Sequence, residues 1–99
     1  MRGGASQTAP FSQKTWCIAK PSSDEATLIK NINFACSETS CKDIDIGGRC
    51  FLPDTLQNHA SVAMNLYYWA NGRNTWNCDF KGSRLIVTTD PSYAKCIYM

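Results

Sequence analysis

The chain has 99 residues, 43% of them hydrophobic and 18% charged, with ten Lys/Arg against eight Asp/Glu for a net charge of +2. That length holds one domain, and the composition is too apolar for a disordered segment. Basic residues scattered singly from Arg2 to Lys95 argue against nucleic acid as a partner, and no apolar run nears the roughly 18 residues of a membrane span.

Met1 to Ser12 contain no apolar stretch of the signal-peptide kind. Residues 1–13 therefore read as a flexible tail or as residues added for expression, ahead of a single disulfide-rich domain over 14–99. The first helix signal follows Pro21. Ser22 offers a cap and Glu25 closes a capping box, and Leu28, Ile29, Ile32, Ala35 and Cys36 recur at helical spacing. This predicts a helix over 23–36, with Phe34 off its apolar face and under a loop. Ser37 to Pro53 is irregular, with a turn at Gly47-Gly48. A second helix starts after Pro53 with Asp54 as cap and Gln57 at the box position, and ends at Asn71-Gly72.

That second helix is apolar nearly all round. Ala60, Ala63, Met64, Tyr67 and Tyr68 mark one stripe, and His59, Val62, Leu66 and Trp69 mark another. The alanine-rich stripe is expected to pack inward because small residues let helices approach. The Val62/Leu66/Trp69 stripe is then expected to stay at least partly exposed, unless the C-terminal coil covers it. After it, Arg84 to Thr89 is β-branched and reads as a strand. Asp90-Pro91-Ser92 reads as a turn, Cys96-Ile97-Tyr98 as the returning strand, and Trp16-Cys17-Ile18 as a third edge. The fold class is α+β: two packed helices, a small antiparallel sheet and long coil.

Six cysteines lie at Cys17, Cys36, Cys41, Cys50, Cys78 and Cys96, none in a CxxC or zinc-finger spacing. With a single histidine, His59, no metal site and no cofactor are expected. Six cysteines in a short chain imply three disulfides and a secretory history, with about 15 pairings open.

Trp16-Cys17, Phe34-Ala35-Cys36, Gly48-x-Cys50-Phe51, His59-Ala60-Ser61-x-Ala63-Met64-Asn65, Tyr67-Tyr68, Cys78-Asp79-Phe80 and Asp90-Pro91-Ser92-x-x-x-Cys96 together resemble carbohydrate-binding module family 43. This plant family includes olive-pollen-type allergens, plasmodesmata callose-binding proteins and the C-terminal modules of endo-1,3-β-glucanases. The resemblance runs from Trp16 to Tyr98. It implies the pairing Cys17–Cys78, Cys36–Cys41 and Cys50–Cys96. It also implies non-catalytic binding of β-1,3-glucan such as callose or laminarin, in the cell wall or plasmodesmata, with a glycoside hydrolase domain as a companion in a longer parent.

A neutral glucan is held by flat aromatic surfaces flanked by amides, carboxylates and guanidinium groups. The candidate glycan-binding residues are Tyr67, Tyr68, Trp69, Arg73, Asn74, Trp76 and Asp79. Trp76 stands in a polar loop as the natural platform. Tyr67 and Tyr68, on adjacent helical positions, cannot share a face, so one is expected in the core. Trp16 reads as disulfide packing, Phe51 and Phe80 as core, and Tyr93 and Tyr98 as weaker edge candidates. Asp54 and Asp90 read as a cap and a turn residue. Nothing marks the positioned carboxylate pair of a glycosidase, and no nucleophile–base motif surrounds His59, so the chain reads as a binder and not an enzyme. The alternative is a protein-docking module, without glycan affinity, that uses the apolar face of helix two. A monomer is expected, and that face of helix two is the one open to self-association.

Overall fold

The structure is a computed structural model and describes residues 14–99. The expected N-terminal tail lies outside the described residues. The elements are β1 (Trp16–Ala19), α1 (Glu25–Glu38), α2 (Leu56–Ala70) and β2 (Arg84–Val87), with short 3-10 turns at Lys42–Ile44, Thr75–Cys78 and Phe80–Gly82.

Both helices start later than their sequence signals predict. Ser23 N–H bonds the Lys20 carbonyl and closes a turn through Ser22, so Asp24 becomes the cap of α1, its carboxylate accepting from Thr27 N–H at 2.8 Å. Hydrogen bonding from Thr27, from its side chain first and then from its N–H, holds the Asp24 carboxyl below its ordinary value. For α2 the cap is Thr55 and not Asp54: Thr55 has extended dihedrals and its hydroxyl accepts from Asn58 N–H at 3.1 Å. Gly72, at φ 98°, closes the far end in the left-handed conformation that favours glycine.

Among the described residues the sheet has two strands, and its partners differ from the expected ones. β2 pairs antiparallel with β1, Trp16 opposite Val87 and Ala19 opposite Arg84. The segment 96–98 adds no strand to it. Cys96 is tied to Cys50, and Tyr98 is buried against Trp16, Cys50 and Val62. The terminal coil is thereby drawn across α2 instead of along β2. Tyr93 and Cys96 close a small bridge of their own through two main-chain hydrogen bonds.

The free side of β1 is closed by a helix. Cys17 N–H donates to Asn65 Oδ1 at 3.0 Å, Ala19 N–H donates to Ser61 Oγ at 3.0 Å, and Gln57 Nε2 donates to the Ala19 carbonyl at 2.8 Å. Residues 57, 61 and 65 are four apart and share one face of α2. One turn further on, the Tyr68 hydroxyl lies 2.7 Å from Thr15 Oγ1. A polar stripe on α2 thus stands where a third strand would pair.

This stripe divides the apolar residues of α2 between two cores. Ala60, Met64 and Tyr68 pack with Cys17, Ala19, Leu28 and Cys78 on the α1 side. Val62, with half-buried Leu66, packs with Trp16, Cys50, Cys96 and Tyr98 on the other. Strand β1 serves both by alternation: Cys17 and Ala19 face the first core, and Trp16 and Ile18 face the second. The expected exposure of the Val62/Leu66/Trp69 stripe is therefore corrected. The terminal coil covers Val62 and most of Leu66, and of the three only Trp69 stays exposed.

The three disulfides are Cys17–Cys78, Cys36–Cys41 and Cys50–Cys96, the pairing that the family resemblance implies. They close spans of 61, 5 and 46 residues. By chain entropy the two long links contribute about 4 kcal/mol each and the short one about 2 kcal/mol. Replacing Cys36 and Cys41 together by alanine should lower the melting temperature by roughly half as much as the same change at Cys17 and Cys78, measured by thermal denaturation under oxidising conditions. Asn65→Ala removes the acceptor of a buried main-chain N–H, and should cost about 2–3 kcal/mol in chemical denaturation.

Burial raises the Tyr98 phenol above its ordinary value, with Tyr93 nearby adding to the shift. The unfolded chain releases that proton near pH 10, while the folded chain retains it. The stabilisation from the neutral buried phenol is fully present below about pH 10 and is lost as pH rises beyond it. Stability followed by urea titration should therefore fall less steeply above pH 10 in Tyr98→Phe than in the wild type.

Candidate functional site

A groove of about 480 Å³ lies between α1 and the coil that follows α2. Its first wall is one face of α1. Thr27, Lys30, Asn31 and Phe34 fall at offsets of three, four and seven and line up on that face. Its floor takes Tyr67 from α2. Its second wall is the coil, with Trp76, Asn77, Asp79, Phe80 and Lys81.

Three rings form the base. Phe34 and Tyr67 meet at 5.0 Å between centroids, Tyr67 and Phe80 at 6.0 Å, and Phe34 and Phe80 at 6.1 Å, each pair edge-to-face. This is the favourable arrangement of ring quadrupoles, and it leaves the cluster as a firm apolar surface. Phe34 is 48% exposed and Trp76 73% exposed, so both present ring area to solvent at the groove. The polar lining is amide, hydroxyl and ammonium, with Asp79 the single carboxylate.

The coil wall is held from behind. Cys78, fully buried and bonded to Cys17 of β1, sits between the groove residues Asn77 and Asp79. Arg84 Nε donates to the Cys78 carbonyl at 3.0 Å. Ahead of it, Asn74 and Asn77 cap each other, Asn77 Oδ1 accepting from Asn74 N–H at 3.2 Å. Beyond it the chain turns left-handed: Phe80, Lys81 and Gly82 have φ of 42°, 52° and 85°. For a side-chain-bearing residue this conformation costs on the order of 1–3 kcal/mol, and such strain concentrates at functional sites.

Of the sequence-derived candidates, Tyr67, Trp76 and Asp79 line the groove. Asn74 stands behind it as the cap of the Thr75–Cys78 turn. Arg73 and Trp69 are exposed and line no part of it. Tyr68 is corrected to a core residue, 2% exposed and fastened to Thr15, so its ring is closed to any ligand. Sequence reasoning missed Thr27, Lys30, Asn31, Phe34, Asn77, Phe80 and Lys81. Helical spacing of Thr27, Lys30, Asn31 and Phe34 was the available signal: a mixed amide, cation and aromatic face opposite the apolar one.

The X8 domain family model matches residues 15–85. A glucan endo-1,3-beta-glucosidase of Triticum aestivum is 49% identical over 84 residues, 85% of this chain and 18% of that protein. The major pollen allergen Ole e 10 of Olea europaea is 41% identical over 88 residues, 87% of this chain and 72% of that protein. Plasmodesmata callose-binding protein 2 of Arabidopsis thaliana is 31% identical over 91 residues, 91% of this chain and 47% of that protein. The chain spans about a fifth of the length of the glucosidases it matches. With its match over most of the chain and the three disulfides paired as the resemblance implies, the chain belongs to the X8 domain family, carbohydrate-binding module family 43.

Proposed function

We propose that this module binds β-1,3-glucan in the groove of Phe34, Tyr67, Trp76 and Phe80, without cleaving it. The observation that carries the reading is the groove itself: an aromatic base and an exposed indole wall, rimmed by neutral amides. Sugar faces present C–H groups to rings, and sugar rims present hydroxyls to amides and ammonium groups. The names of the relatives, which concern 1,3-glucan hydrolysis and callose binding, support the same ligand.

The charges of the lining support binding without hydrolysis. Glycoside cleavage takes two carboxylates about 5–9.5 Å apart across the scissile bond, and the groove lining holds one, Asp79. In a longer parent this module would deliver a hydrolase domain to its polymer. On its own it would act as an anchor. Disulfides and the relatives' names support an extracellular place, in the plant cell wall or at plasmodesmata.

Laminarin oligosaccharides titrated into the isotopically labelled domain should shift the amides of Lys30, Asn31, Asn77 and Lys81. Retention on insoluble β-1,3-glucan should exceed that on cellulose and change little with salt, since a neutral ligand releases few counterions. Trp76→Ala should weaken laminarin binding about tenfold while the melting temperature hardly moves, whereas Trp69→Ala should leave affinity unchanged. Equal losses in the two variants would remove the groove as the binding site.

A further inference from the structure

We propose that Ser83 is a positioning residue for the groove: its hydroxyl, held by Asn31, locks the left-handed turn that keeps the Phe80 ring against Phe34 and Tyr67. This inference rests on the glucan-binding reading of the groove.

Ser83 is anchored on three sides. Its carbonyl accepts from Lys20 N–H at 3.0 Å, which ties it to the end of β1. Its hydroxyl oxygen accepts from Asn31 Nδ2 of α1 at 2.9 Å. Asn31 Nδ2 is a donor only, so the hydroxyl proton is free to point elsewhere, and it does: Ser83 Oγ donates to the Phe80 carbonyl at 2.6 Å. The Ser83 N–H reaches the same carbonyl at 3.1 Å, and Gly82 N–H bonds the Asp79 carbonyl at 2.8 Å.

The turn needs this support because neither Phe80 nor Lys81 favours positive φ. An unassisted chain would relax toward the right-handed region, and the Phe80 ring would leave the three-ring base. Asn31 is 7% exposed, so its amide is held in place by burial and couples the turn to α1, the opposite wall. One hydroxyl thereby ties the handedness of the coil wall to the position of the helix wall. Ser83 itself does not line the groove, so its effect on ligand is indirect.

The test compares Ser83→Ala and Ser83→Thr with the wild type by three measurements. These are nuclear Overhauser contacts from the Phe80 ring to the Phe34 and Tyr67 rings, laminarin affinity, and melting temperature. In Ser83→Ala the ring contacts should weaken or vanish and affinity should fall about three- to tenfold, the range of one net hydrogen bond. The domain should remain folded, and Ser83→Thr, which keeps the hydroxyl, should retain both contacts and affinity. Intact Phe80 contacts in Ser83→Ala would overturn the proposal, whatever its affinity. A Ser83→Ala domain that unfolds would overturn it too, because the hydroxyl would then support the whole fold. A wild type that fails to bind laminarin would overturn the glucan reading, and the ring contacts would still decide whether Ser83 sets the groove.

Discussion

The fold depends on the hydrogen bonds that α2 makes to the open side of β1. A two-stranded sheet is marginal in water, and an unpaired strand side exposes main-chain donors and acceptors that cannot be buried unsatisfied. Gln57, Ser61 and Asn65 satisfy them from a helix. The solution constrains everything nearby. Residues of α2 on one side of the polar stripe must face α1, and those on the other must face the terminal coil, so a helix that is apolar nearly all round finds cover for both faces. It also orients the site. Tyr68 is fastened near the strand by Thr15, and its neighbour Tyr67, about 100° round the helix, is turned to the groove.

The groove is assembled from three kinds of backbone, each with its own means of precision. The α1 wall is rigid because the helix packs on the core through Leu28 and Ala35. The Tyr67 floor inherits the register of α2. The coil wall has only two short 3-10 turns, and is held by a buried disulfide, a pair of mutually capping asparagines and a left-handed turn. The result presents rings and amides in fixed positions, which suits a ligand whose recognition depends on shape and many weak contacts more than on charge.

Both helices were legible in the sequence, and the disulfide pairing only through the family resemblance; of the seven candidate residues, Tyr67, Trp76 and Asp79 line the groove. What failed did so for identifiable reasons. Near each helix start several capping residues stand together, and propensity cannot choose between Ser22 and Asp24, or Asp54 and Thr55. The strand partners were misjudged because 84–87 lies close in sequence to 96–98 and far from 16–19, whereas the disulfide to Cys50 and the burial of Tyr98 draw the terminal coil away. Phe34 was hidden because a groove-facing helix side is neither apolar nor polar. Phe80 was hidden because nothing about a phenylalanine announces a left-handed backbone.

The placement of Cys78 within the coil wall divides what the wall presents from what fastens it. The residues on either side of it touch the groove, while its own side chain and main chain are committed to the scaffold. Substitutions at Trp76, Asp79 or Lys81 therefore alter the surface that the groove presents without disturbing either core, whereas Asn77 also caps the turn that carries it. What the strip presents and what holds it are therefore separable, and a handful of side chains on a covalently pinned segment can change while the framework behind them stays as it is.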